Sequence, residues 1–594
     1  MNHKLLLLIL AICNIATAQT LPAERATNWS LAGYPDTIPT YGHVLDITSY
    51  GAVGDGVVVN DTCIINAIAA LNGGSGTIYF PTGNYFFTQR INLPDSVVLK
   101  GASADSTTLS FNLNGNNNLI SIGGSIGAPV AALSALAAKD SNYILLDDAS
   151  TIEVGDYLRI SFNDASLLFS TWAYGSVGQV VRVKNVTGNR VELYSPLRRS
   201  YALADNAKVS LITPIVGCGI ECLKIDRLDA SVGQTTNIDI SYAANCWLRG
   251  VESNNCNFAH VALSTSTNIE ITGCYLHHAH AYGDGGQGYG VAIQSTSGEC
   301  LIENNIFNHL RHSLLLQSGA NGNVCAYNYS MDPFWENLPF IPANSAGDIV
   351  MHGNYPYLNL IEGNIVQNMM VDNSHGLNGP HNTFFRNRAE LYGFIMSDAS
   401  VGDDQNIIGN EITGTGALQG QYVLAGNGHF AYGNNIKGTV QPTGTSTLSD
   451  TSYYKNGRPA FLSATVSYPP IGYPNTIGAN SINAKDKQAQ DQLTDCESYG
   501  VVYDTVATEI QALEQISYTM YPNPSTGIVY LQSSDVLDAN VYISDVTGKQ
   551  VAVYTMQHGK AVMQLGYLSQ GLYFVQVQAA DRQNTTSKLF ITQK

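Results

Sequence analysis

The chain has 594 residues, 44% of them hydrophobic and only 12% charged, enough for a large core in more than one domain. Its net charge of −18 argues against nucleic acid and anionic membrane surfaces as partners. Glycine is frequent (56 residues), helix signals are few, and Thr, Val, Ile, Tyr and Asn are plentiful, so β structure is the default.

Met1 to Ala18 reads as a secretory signal, with Lys4, an apolar core from Leu5 to Ile15, and Ala16-Thr17-Ala18 as the cleavage site before Gln19. Cys13 would suit a lipoprotein signal, but Ile12 stands where a small residue is needed. No later segment has the roughly 20 apolar residues of a membrane span. Residues 19–42 read as an extended lead-in. A helix follows over 60–71, with Asn60 or Asp61 as its cap. Its apolar face would cover the open end of a β solenoid, whose bare strand edges invite aggregation.

Around that helix stand YGAVGDG (50–56), GGSGTIYFPTGNY (73–85) and VVLKGA (97–102). This pattern resembles the start of the pectate-lyase superfamily of β-helix enzymes, which also holds polygalacturonase-like hydrolases. The resemblance implies a fold more than a chemistry. From 143 to 214 the pattern changes to alternating hairpin strands, at 154–160, 178–186 and 189–194. They predict a small antiparallel β insertion that either walls a groove or decorates the surface.

The organising stretch runs from Cys246 to Ile436. Asparagines recur at Asn305, Asn328, Asn364, Asn387, Asn410 and Asn434, at intervals of 23, 36, 23, 23 and 24. The 36 is one period plus an insertion within Met331–Ala343. Gly250, Gly273 and a glycine-rich loop at 283–290 extend the period backwards. Ile302, Cys325, Ile361, Phe384 and Ile407 precede the asparagines by three residues and read as a stacked inward column. Asparagine tolerates left-handed turns, and its amide can bond to neighbours above and below. The fold class is therefore all-β, a right-handed parallel β-helix of about 23 residues per coil. The glycine-rich loop lacks the flanking strand and helix of a nucleotide site.

The same period lines up Gln294, Gln317, His352, His375 and Asp398 as an outward polar column, about 4.8 Å apart per coil. A second column pairs His277 and His280 with His309 and His312, with Arg311 beside them. A polysaccharide β-eliminase needs a base for the proton α to a uronate carboxylate, a group to neutralise that carboxylate, and an acid for the leaving oxygen. His352, His375 or Tyr357 would serve as base, with Arg311 and Gln317 on the carboxylate. Gln294, His312, His280, Asn378, His381, Arg386 and Asp398 would bind substrate. Stacked His and Gln can equally form a structural hydrogen-bond ladder.

A glycoside hydrolase is the second reading, with Asp372, Asp398, Asp403 or Asp404 as its carboxylates. A non-catalytic glycan-binding β-helix is the third. No cofactor is required; Ca²⁺ is allowed for, with Asp348, Asp372 or Asp398 as candidate ligands, although no spacing marks a metal site. Nine cysteines follow Cys13. Most fall on coils, where burial as small apolar residues is expected, and a Cys246–Cys256 or Cys218–Cys222 bridge is left open.

Residues 452–461 and 469–472 resemble the closing segment of secreted β-helix lyases. A linker is expected over 485–515. From 516 to 594, YPNPSTG (521–527), DVTGK (545–549), LSQGLYFVQV (568–577) and SKLFIT (587–592) resemble a type IX secretion sorting domain. The resemblance implies export to the cell surface or medium through the type IX machinery. The expectation is a secreted lyase, monomeric, acting on an acidic polysaccharide. The domains are a signal at 1–18, a β-helix at 19–484, a linker at 485–515 and a sorting domain at 516–594.

Overall fold

A computed structural model describes residues 19–115, 117–283, 285–336, 346–397, 401–496, 501–502, 518–533, 538–547, 549–578 and 585–592. The chain forms two compact units, Met1–Tyr503 and Asp504–Lys594. The expected signal at 1–18 lies outside the described residues, as do most of 485–515 and Asp398. Among the described residues, no helix is long and apolar enough to cross a membrane.

The first unit is a parallel β-helix. Strands on one face pair in parallel from Val44–Asp46 through Gly76–Phe80, Val97–Gly101 and Gly219–Glu221 to Phe430–Tyr432. A second face runs through Thr107–Phe111, Lys224–Arg227 and Glu252–Cys256. A third runs through Ile120–Gly123, Ile238–Ser241, Ala259–Ser264, Tyr289–Gln294, His312–Leu316 and Ile349–Met351. The expected inward column is in register: Ile302 pairs with Cys325, Cys325 with Ile361, Ile361 with Phe384 and Phe384 with Ile407. All five are fully buried in one core.

Each ladder asparagine donates its amide to the next, at 2.8–3.0 Å from Asn305 to Asn434. Each also accepts the backbone N–H of the one before. The left-handed residue is not the asparagine but its predecessor: Asn304, Tyr327, Gly363, Arg386, Gly409 and Gly433 all have positive φ. The turn thus bends one residue early, which frees the amide to face the stack. A second ladder, Asn323–Asn359–Asn382–Gln405, lies five residues before the first, with links of 2.9–3.1 Å. Each rung satisfies buried backbone groups that a coil turn would otherwise leave unpaired.

The helix Asp61–Ala70 buries Ile64 and Ala67 against the same core and covers its end. Neither expected cap works as such. Asn60 turns its side chain back onto Val53 and Val58, while Asp61 accepts from Thr88 and Gln89. The outside of the first face is covered too: Leu21, Trp29, Leu448, Tyr454 and Phe461 pack on Leu301, Val324, Leu360 and Phe385. One disulfide joins Cys222 to Cys496. The alternatives left open by sequence are absent, since Cys218, Cys246 and Cys256 are free and buried. Gly250 and Gly273 have positive φ, and a Cβ there would collide with Cys496 and Asp495 of the closing tail.

Strands Ser125–Ala132, Tyr143–Leu145, Tyr157–Ser161, Gly178–Thr187, Arg190–Leu193 and Lys208–Thr213 form an antiparallel sheet with its own core. It is pinned to the coils by a buried Arg198–Glu299 pair at 2.7 Å, by Arg198 Nε to Asn321 at 2.5 Å, and by Ser195 Oγ to Glu299 at 2.8 Å. The second unit holds two antiparallel sheets, one with Tyr518–Tyr521 and Ile528–Ser533, the other with Ala539–Ser544 and Gly571–Gln578. Val529, Leu531, Val541, Met563, Val575 and Leu589 form its core.

Candidate active site

A cleft of about 720 Å³ opens on the third face of the β-helix. Its lining climbs through successive coils, from Asn118 and Asp239 past Tyr289 and Gln294 to Arg311, Gln317, His352 and His375. The strand register explains which side chains meet there. Ser264 pairs with Gln294, and one residue beyond the paired Leu316 and Met351 stand Gln317 and His352. Met351 pairs with Val371, so the next rung after His352 is Asp372 rather than His375. His375 lies three residues further, in the following turn.

That slip brings two rings and a carboxylate together. His352 Nδ1 donates to Asp372 Oδ2 at 2.7 Å, and the His375 ring stands edge-on to His352 with centroids 4.9 Å apart. Asp372 also accepts Ser374 N–H at 3.0 Å. Burial raises the Asp372 carboxyl, but the His352 hydrogen bond and charge outweigh it and hold the group below its ordinary value. Asp372 is thus a carboxylate that fixes the imidazole orientation, so that the neutral ring has Nε2 as its acceptor. Burial, then the His352 charge, lowers the His375 imidazole. His375 is therefore neutral, and its Nδ1 lies 3.2 Å from Ser170 Oγ.

The insertion supplies one wall. Phe169 and Ser170 N–H both donate to Asn354 Oδ1 at 3.0 Å, and the Trp172 ring lies edge-on to His375 at 5.5 Å. Gly376 has positive φ, and a Cβ there would strike Phe169. On the other side, Arg311 is held under Trp335 at 4.7 Å and donates Nη1 to Gly283 O. Its Nε and the Gln317 carbonyl are buried without a partner among the described residues. Gln317 donates to Gln294 at 2.9 Å. The cleft therefore presents an unused cation donor and an unused amide oxygen beside the histidine pair.

Residues 44–143 match the family model "Rhamnogalacturonase A/epimerase, pectate lyase-like". The segment at 44–143 is thus similar to the pectate lyase-like family, and it lies within a parallel β-helix. Residues 519–592 match the secretion system C-terminal sorting domain, so this β-helix is exported to the cell surface or beyond. No curated protein sequence matches it. Among solved structures, it is similar to the tailspike protein gp49 from Pseudomonas phage LKA1, with 14% identity, TM-score 0.37, and coverage of 66% of this chain and 78% of that one. It is also similar to an exopolygalacturonase from Thermotoga maritima, with 11% identity, TM-score 0.35, and 68% and 94% coverage. The mannuronan C-5 epimerase AlgE4 A-module of Azotobacter vinelandii gives 14%, 0.31, and 66% and 89%.

Several expected site residues lie elsewhere. Tyr357 is buried, donates to Gly178 O at 2.6 Å and is pushed by burial to about 12, so it anchors the insertion instead of acting as base. Arg386 is buried and donates to the carbonyls of Asp450, Ile471 and Tyr473, tying down the closing segment. His381 donates its backbone N–H to Asp404 O at 2.9 Å and sits near Arg25, with burial pushing its imidazole down to about 4. His280 donates Nε2 to Arg227 O at 3.1 Å. His312 is buried, donates to Gly347 O at 2.8 Å, and supports His352 from one coil away with centroids 5.7 Å apart. Asn378 shapes the backbone below the cleft, accepting Gly353 N–H and donating to Asp372 O and Val401 O.

His277 and His309 pair with Glu252 and Asp332, in an aromatic cluster outside the cleft. Asp348, allowed for as a Ca²⁺ ligand, is buried and accepts from Ser330 and two backbone N–H groups. Among the described residues, no cluster of three or more His, Cys, Asp and Glu is placed to share a metal ion. Sequence reasoning placed Asp372 only among hydrolase or metal candidates. It missed Ser170, Trp172, Tyr289 and Asp239 altogether. Nothing local marks Ser170 or Trp172, because the insertion reaches the cleft only in the folded chain.

Proposed function

We propose that the cleft cleaves a uronate-containing polysaccharide by β-elimination. The observation that carries this reading is the His352–Asp372 pair on the cleft floor with His375 beside it. His352 Nε2 takes the proton α to the uronate carboxylate, and Asp372 stabilises the imidazolium that forms. Arg311 faces the carboxylate and stabilises the charge it gains, with the second N–H of the Gln317 amide as a further donor. The electron pair moves into the ring to form the unsaturated bond as the glycosidic carbon–oxygen bond breaks. The leaving oxygen then takes the proton that the His352 imidazolium carries, which returns that ring to neutral, while His375, with Ser170 at its Nδ1, donates an Nε2 hydrogen bond to the same oxygen.

Hydrolysis needs two carboxyls about 5–9.5 Å apart across one bond. Asp239, the carboxyl of the described cleft lining, does not meet that geometry with Asp372. Asp239 shares its register with Ala262, Ala292, Leu315, Val350 and Met370, about 24 Å of stacking before the coil of Asp372. Asp403 accepts Asn427 N–H and Asp404 pairs with Arg25, both outside the cleft lining.

The test is ultraviolet absorbance of the purified chain with a panel of uronate polysaccharides, with and without chelator. A rising signal lost in His352→Ala supports elimination, and the chelator arm decides whether Ca²⁺ takes part. New reducing ends without absorbance would replace the reading by hydrolysis. Inverted uronates with neither signal would assign the same base to an epimerase.

A further inference from the structure

A second cavity of about 420 Å³ lies apart from the cleft. Three distant parts of the chain build it: the lead-in around Tyr34, the insertion around Tyr157, Arg182 and Tyr194, and first-face strands at Asn245 and Asn268. Its frame is fixed. Asn268 donates to Leu31 O and Gly33 O at 2.9 and 3.1 Å, Asn245 donates to Tyr157 Oη at 3.2 Å, and Tyr34 N–H donates to Glu270 at 3.1 Å.

The guanidinium of Arg182 lies over the Tyr194 ring at 5.3 Å and over Tyr157 at 5.7 Å. It makes no side-chain hydrogen bond or ion pair among the described residues, although carboxylates stand nearby. Glu299 in the same wall is already occupied by Arg198 and Ser195. Asp36 and Glu299 are the carboxylates of the lining, and with Glu299 paired to Arg198, Asp36 is the charge left to oppose an anion. Tyr194 is 53% exposed, an apolar ring open to solvent beside an unspent cation.

We propose that this cavity is a second glycan site, one that takes a sugar ring bearing a carboxylate. The apolar face of the sugar lies on Tyr194, and its carboxylate meets the free N–H fork of Arg182. The two tyrosines hold that fork still by cation–π contact, so little side-chain freedom is lost on binding. Because the insertion walls both this cavity and the cleft, one long polymer could be held at both places, raising its effective concentration at the cleft. The substrate class follows from the reading of the cleft, but binding here needs no reaction there.

The test is affinity electrophoresis of the full chain in gels holding polygalacturonate, alginate or neutral dextran. The cleft is disabled by Arg311→Ala with His352→Ala, so that retardation reports the second cavity. Retardation by at least one acidic polymer is expected to persist, to weaken about ten-fold in affinity on adding Arg182→Gln or Tyr194→Ala, and to be absent in dextran. Loss of all retardation in the cleft-disabled chain would overturn the proposal, as would unchanged retardation with Arg182→Gln. Equal retardation by dextran would overturn the role of charge. Thermal melting of each variant shows that the fold is intact. Product formation by Arg182→Gln alone reads the cleft separately, so failure of elimination and failure of this site are distinguishable.

Discussion

Asp372→Asn isolates the group that sets the chemistry of His352. The carboxylate accepts two hydrogen bonds, from His352 Nδ1 at 2.7 Å and from Ser374 N–H at 3.0 Å. An amide has one acceptor oxygen and one donor nitrogen. If its oxygen faces His352, its NH₂ confronts Ser374 N–H. If its NH₂ faces His352, the imidazole must accept at Nδ1 and carry its proton on Nε2, where the base is needed. Either orientation removes the charge that stabilises the imidazolium. General-base catalysis is worth about 10²–10⁴-fold, so turnover should fall by roughly 10³-fold, or about 4 kcal/mol. The KM should change little, because Asp372 is buried behind His352. The assay is steady-state release of unsaturated product across pH, with thermal melting to confirm folding. A folded Asp372→Asn protein that keeps more than a tenth of its turnover would refute the reasoning and return His352 to a structural ladder.

Four further outcomes are expected. Trp172→Ala removes the exposed ring that borders His375 at 5.5 Å and should raise KM about ten-fold with kcat within a few-fold; a kcat loss alone would contradict its place as a wall. Asn364→Ala strips the acceptor from Asn328 N–H and Asn328 Nδ2 and the donor from Cys325 O. Three orphaned buried groups should cost roughly 3 kcal/mol or more, measured by denaturant melting. Arg198→Ala leaves Glu299 buried and unpaired and should destabilise by about 3–5 kcal/mol; a smaller loss than that of an exposed pair would show that the insertion is held by packing alone.

The pH dependence of stability follows from two opposed sets of buried groups. Burial pushes His260 and His312 down to about 3, so their contribution is lost as pH falls below about 6.5. Burial pushes Asp348, Glu270 and Glu362 up to about 7, so theirs is lost as pH rises through about 7 from the ordinary carboxyl range. Between about pH 4.5 and 6.5 the slopes oppose, and the melting temperature should be nearly flat. Below about 4.5 the histidines, joined by carboxyls held low in the fold such as Asp372, still titrate differently in the folded state, and the melting temperature should fall. A steady decline from 6.5 to 4.5 would show that the carboxyls are not raised as the burial implies.

The spacing of asparagines determined the solenoid, its period and the column Ile302–Cys325–Ile361–Phe384–Ile407, because a ladder that repeats every coil must repeat in sequence. The second ladder was equally legible, five residues before each first-ladder asparagine at Asn323, Asn359 and Asn382. The local motifs of the sorting domain also sufficed for its identity. The partner of His352 was not legible from the period. On the first face Leu360–Glu362 and Thr383–Phe385 are 23 residues apart, but on the third Ile349–Met351 and its partner at 369–371 are only 20 apart. Turns of unequal length let each face keep its own register, so a period read from one face misplaces His375 by three residues on another. Tyr357 and Arg386 look like site chemistry in sequence, yet the insertion and the closing segment bury them for anchoring. The cleft wall at Ser170 and Trp172 and the cavity around Arg182 exist only because an insertion docks across the coils, and no local pattern encodes a contact made that far along the chain.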